Sequence, residues 1–133
     1  MGDYRYRTDL DKNRLYIRLT GFFKERDVPV MLEDLEQALD DLHPDFDVVV
    51  DLSHFKPASP STARFIREGA ELIKARGRRH AVRITGGIVT GVLQFTQVLR
   101  GVFSDDTVSY VKTMEEAEAI LNRLTMEAQR KGA

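Results

Sequence analysis

The segment from Asp51 to Ala63 concentrates the side chains best suited to chemistry. A strand ending in Asp51-Leu52-Ser53 runs into the loop Ser53-His54-Phe55-Lys56-Pro57-Ala58, and three hydroxyls, Ser59, Ser61 and Thr62, then crowd the start of a helix. A phosphate at such a helix start meets unpaired backbone N–H groups and the positive end of the helix dipole. Capping alone accounts for one hydroxyl, because Ser59 precedes Pro60 at the first helical position. His54 follows the central strand, where open α/β sheets present their sites. His43 stands before a proline and His80 inside a basic run, and both read as polar surface. No two histidines share metal-ligand spacing. The absence of cysteine excludes a thiol nucleophile, thiolate zinc, iron–sulfur ligation and a disulfide framework.

The chain carries no nucleophile elbow, phosphate-binding loop or dinucleotide fingerprint. Gly86-Gly87, between a strand and a helix, admits two readings: a tight turn, or a permissive helix start that receives an anion. Lys74, Arg76, Arg78, Arg79, His80 and Arg83 form a basic run. It could receive an acidic partner, or it could complement the helix end before it. No nucleophile–base pair or metal set can be assembled, so the expectation is a non-catalytic domain without a cofactor.

The elements that must position these residues are legible in the hydrophobic pattern. Tyr4 to Thr8 and the alternating run Leu15, Ile17, Leu19 form an antiparallel hairpin across the turn formers Asp9 to Asn13. A first helix begins near Asp27 and Pro29, with Met31, Leu35, Ala38, Leu39 and Leu42 on one stripe, and ends at His43-Pro44. Phe46 to Leu52 barely alternates, as a strand buried on both faces does, and is read as the central parallel strand. The helix after Pro60 buries Phe65, Ile66, Gly69, Ala70 and Ile73 and stops at Gly77. Ala81 to Thr85 is a strand, residues 88–100 a helix apolar on several sides, and Val108 to Val111 a last strand. Thr113 and Glu116 form a capping box that opens the final helix, buried along Ala117, Ile120, Leu121 and Leu124. The order β-β-α-β-α-β-α-β-α predicts an α/β fold with a small, mostly parallel sheet and about four helices. One domain over 1–125 is expected, with a frayed tail over 126–133.

At 133 residues the chain suits one core and leaves little room for a second. Twenty basic and twenty-one acidic residues give a net charge of -1, so there is no bulk attraction to nucleic acid or anionic membranes. No apolar run reaches the roughly 20 residues of a membrane span. The segment Met1 to Arg7 lacks the apolar core of a signal peptide. A cytoplasmic domain is expected.

From about Tyr4 to Leu124 the chain resembles the STAS domain of bacterial anti-sigma factor antagonists and sulphate transporters. Ile17-Arg18-Leu19-Thr20-Gly21 is similar to the family's first strand end, Val49-Val50-Asp51-Leu52-Ser53 to its central strand, and Glu115-Glu116-Ala117 to the opening of its last helix. The family's Asp-Ser-Ser/Thr-Gly phosphoacceptor segment falls by spacing on Ser59-Pro60-Ser61-Thr62. Ser61 takes the acceptor position, while Ser59, Pro60 and Thr62 replace the Asp, the first hydroxyl and the Gly. The resemblance implies a regulatory module that binds a protein partner, an anti-sigma factor or kinase-like ATPase. Ser53, His54, Ser59, Thr62, Gly86 and Gly87 are the candidate contacts and Ser61 the candidate phosphoacceptor. Two other uses remain open for the apolar helix over 88–100: lining a pocket for a small hydrophobic molecule or lipid, or forming a homodimer.

Overall fold

Leu15, Ile17 and Leu19 alternate along one strand with Arg14, Tyr16 and Arg18, and this alternation decides which side of the sheet each helix covers. The computed structural model describes residues 2–21, 23–55, 60–86 and 107–132. In chain order it contains β1 (Asp3–Asp9), β2 (Arg14–Gly21), a 3-10 turn (Glu25–Asp27), α1 (Val28–Asp40), β3 (Asp47–Phe55), α2 (Pro60–Ala75), β4 (Ala81–Ile84), β5 (Val108–Val111) and α3 (Met114–Gly132). The strands lie side by side in chain order. β1 and β2 pair antiparallel, and every later pair is parallel. The expected α/β class, opening hairpin and central position of β3 are what the chain adopts. The helix expected over 88–100 lies outside the described residues.

Leu15, Ile17, Leu19, Val48, Val50 and Leu52 face one side of the sheet, where they pack with Met31, Leu35 and Leu39 of α1 and Phe65, Ile66, Ala70 and Ile73 of α2. Both helices therefore lie on that side, along the apolar stripes of their sequences. Tyr16, Val49, Val82, Ile84 and Val111 face the other side and meet Ala117 and Leu121 of α3. A strand covered on both sides has no polar face, which explains the unbroken Val48-Val49-Val50 run.

Local chemistry sets the joints. Asn13 has the left-handed φ of 53° at the end of the hairpin turn. Its amide accepts from His43 N at 2.9 Å and donates to His43 O at 3.0 Å, tying the hairpin to the α1–β3 connection. Asp27 does not cap α1 with its side chain. Its carboxylate instead accepts from Lys24 N at 2.9 Å and closes the turn before the helix. Thr113 Oγ1 accepts from Glu116 N at 3.2 Å, half of the expected capping box. The Glu116 carboxylate reaches Lys112 N, one residue earlier than the motif specifies. α3 continues to Gly132, through the segment read as a frayed tail. Residues 126–130 are exposed, so that stretch has nothing to pack against.

Candidate functional site

The carboxyl ends of β2, β3 and β4 meet at one edge of the sheet. There β3 runs further than its sequence suggested. Ser53, His54 and Phe55 were expected in a loop, and all three are strand residues. The cause is a β-bulge: Arg18 pairs with Asp51 and Thr20 with His54, so β3 carries one extra residue opposite Leu19. The bulge lets Phe55 return to the core at 1% exposure while His54 stays exposed.

Two interactions hold this strand end. Asp51 Oδ1 accepts from Ser53 N at 3.0 Å and from Ser53 Oγ at 2.6 Å, a local loop of hydrogen bonds that fixes the Ser53 rotamer. Gly86, which follows β4, has a left-handed φ of 56°. A Cβ there would lie 2.5 Å from Ser53 Cβ, so glycine is required both by the backbone and by the space. Of the sequence candidates, then, the fold brings Ser53 and Gly86 into direct contact. His54 stands across the ladder from Thr20. The backbone of Ser61 and Thr62 forms the second and third positions of α2, six and seven residues beyond Phe55 at the end of β3. Ser59 and Gly87 lie outside the described residues.

The basic run after α2 does not form a patch. Arg76 reaches Asp40 at 2.9 Å and Glu36 at 3.7 Å on α1. Arg78 donates to Thr107 Oγ1 at 3.2 Å. Arg79 grips the buried Asp47 with two bonds of 3.2 and 2.8 Å, a hydrogen-bonded pairing that raises its pKa above the ordinary arginine value despite partial burial. His80 Nδ1 lies 3.5 Å from the same carboxylate. Arg83 is 4% exposed and donates to the Tyr110 hydroxyl at 2.6 Å. Arg76, Arg78, Arg79 and Arg83 are each committed to a different neighbour, which gives the run a structural role.

Sequence reading missed a second polar group, because its members are far apart in the chain. Arg14, 1% exposed, donates to Glu118 Oε2 at 2.7 Å and to Asn122 Oδ1, and the Tyr16 hydroxyl donates to Glu118 Oε1. Burial pushes the Glu118 pKa up, but the Tyr16 hydrogen bond and the charges of Arg14 and Lys12 outweigh it and leave it below the ordinary value. Burial, with the Glu118 contact, raises the Tyr16 hydroxyl. This network sits at the amino ends of the parallel strands and fastens α3 to β2. Among the described residues no cluster of three His, Asp or Glu could hold a metal ion, and no helix is long and apolar enough to cross a membrane.

An apolar cavity of about 50 Å³ lies between α2 and the sheet, against Ile17, Val50, Phe65, Ile66 and Ile73, with Arg83 at its wall. The helix over 88–100, on which a pocket for a small hydrophobic molecule or lipid was expected, lies outside the described residues. No protein-family model matches the chain. No curated protein matches it.

Proposed function

We propose that the chain is a non-catalytic, STAS-like regulatory module of bacterial type. It binds a protein partner, an anti-sigma factor or kinase-like ATPase, at the carboxyl edge of its parallel strands. One observation carries this reading: Ser61 occupies the first turn of α2, a few residues beyond the bulged end of β3. At that position a phosphoryl group adds about two negative charges where backbone N–H groups are unpaired and where a partner would touch Asp51, Ser53 and Gly86. Phosphorylation then works as a release signal, through repulsion and the cost of burying the new charge. The rigid strand end, held by the Asp51–Ser53 hydrogen bonds and the Gly86 contact, supplies a fixed platform beside the switch.

The test is affinity capture from lysate of the native host with wild-type protein and Ser61→Glu, both verified as folded by circular dichroism. The expected outcome is a kinase-like ATPase or its sigma-regulating target retained by the wild type and lost by the variant, with phosphate mapped to Ser61 by mass spectrometry. Equal capture by both proteins, with no phosphate on Ser61, overturns the switch.

A further inference from the structure

We infer that the sheet face carrying Arg5, Arg7 and Arg18 is a docking surface for a short acidic segment of a protein partner. This surface is distinct from the α2 start, and the inference does not depend on Ser61. Tyr4 and Tyr6 turn toward the α1 side of the sheet, so Asp3, Arg5 and Arg7 turn to the other side, together with Tyr16, Arg18 and Thr20 of β2. Helix α3 packs there on β3, β4 and β5, and meets β2 through Glu118 and Asn122 at Arg14 and Tyr16. Among the described residues nothing covers the carboxyl half of β2 or β1 on that face, and Arg5, Arg7 and Arg18 are exposed.

The charges on this open face are unusual for a sheet. Arg5 stands directly opposite Arg18 in the ladder, and like charges directly opposite one another destabilise a strand pair. Arg18 has no carboxylate within ion-pair distance among the described residues. Arg7 lies over the Tyr16 ring, 4.0 Å from its centre, which orients its guanidinium along the sheet. Edge strands do carry charge to prevent unwanted pairing. That accounts for β1 but not for Arg18, since β2 is an internal strand with both neighbours in place. A depression of about 270 Å³ lined by Asp3, Arg5, Arg18 and Thr20 opens between the two like charges.

Charge complementarity selects the occupant. Neighbouring strands are about 5 Å apart and alternate residues roughly 7 Å apart, a spacing that two or three carboxylates on an extended peptide can match. Arginine favours such carboxylates through paired hydrogen bonds. Asp3 lies 4.0 Å from Arg5, and Asp51 is the ladder partner of Arg18, so the positive strip is bounded by carboxylates on both sides. A continuous polyanion such as a nucleic acid would meet like charge there, and a short acidic segment would not.

The test uses a capped pentaglutamate peptide titrated into the isotopically labelled full chain at low ionic strength, followed by amide NMR shifts. Shifts should saturate and centre on Arg5, Arg7, Arg18 and Thr20. Arg5→Ser/Arg18→Ser should weaken binding by roughly tenfold or more, while Arg5→Lys/Arg18→Lys keeps most of it and Arg64→Ser, on α2, leaves it unchanged. The assignment is overturned by the absence of saturable shifts, by shifts centred on Arg76–Arg79, or by equal affinity of the serine double variant. Tighter binding of a single-stranded oligonucleotide to the same face also overturns it. So does self-association that the serine variant abolishes, which would give the face to a second copy of the chain.

Discussion

Arg14 on β2 and Glu118 on α3 stand 104 residues apart in sequence and form an ion pair at 2.7 Å whose cationic member is closed off from water. Its Glu118 side chain keeps 25% exposure, so one end of the pair touches solvent and the other does not. Removing one partner of a buried pair is expensive because it strands the other. Arg14→Ala should lower the unfolding free energy by about 2–3 kcal/mol, less than for a fully enclosed pair, since water can reach the remaining carboxylate. Urea denaturation measures this. A loss below about 0.5 kcal/mol, typical of surface pairs, would show that the contact contributes little.

The same pair predicts acid behaviour. Glu118 titrates below its ordinary value of 4.5 in the folded chain. A depressed carboxylate contributes stability above its unfolded pKa and loses it as the pH falls through the folded one. Thermal unfolding followed downward from pH 5 should therefore show a decline in Tm that is shallower in Glu118→Gln. Parallel acid limbs in the two proteins would refute the assignment.

At the alkaline end the relevant group is Tyr4. Its hydroxyl donates to Asp34 Oδ2 at 2.6 Å, and that hydrogen bond, with partial burial and the nearby carboxylate charge, pushes its pKa from 10.0 up to about 12. Burial raises Tyr6 as well. A raised phenol contributes stability that is complete below the unfolded pKa and disappears as the pH rises from 10 toward 12. Tyr4→Phe should be less stable at pH 8 and should lose less between pH 10 and 12, read from Tm. An unchanged alkaline slope would rule out the contribution.

Gly86 and Ser53 supply a steric test. Gly86→Ala puts a Cβ 2.5 Å from Ser53 Cβ and strains a φ of 56°, so it should cost about 2–3 kcal/mol. Ser53→Ala in the same chain cannot relieve the clash, because the offending atom is Ser53 Cβ. Ser53→Gly can, and should recover part of the loss. Equal stability of both double variants, by denaturant midpoint, would refute the contact.

Local patterns were readable where neighbours in sequence are neighbours in space. The alternation of Leu15, Ile17 and Leu19, the Val48-Val49-Val50 run and the Thr113 cap each follow from periods of two, of burial on both faces, or of one helical turn. The end of the central strand was placed by the same logic only as far as Leu52, with Ser53 read into the loop. The bulge was not, because the extra β3 residue is defined only against Leu19 of a different strand. Nothing in the local pattern marks Arg14 and Asp47 as buried; their burial depends on Glu118 and Arg79, which no local period connects to them.

Because the sheet is assembled in chain order, the ribosome releases its strands in the order in which they pair. No later strand has to be inserted between two that are already joined. At every intermediate length, however, the growing edge is the most recently docked strand. After residue 55 that edge is β3, whose valines later lie buried beneath α2 on one side and α3 on the other. Chains truncated between β3 and β4 therefore expose an apolar, uncharged pairing edge at Val48 to Val50, the surface most prone to intermolecular strand addition. The completed chain leaves open on its β1 side a strand studded with Asp3, Arg5, Arg7 and Asp9.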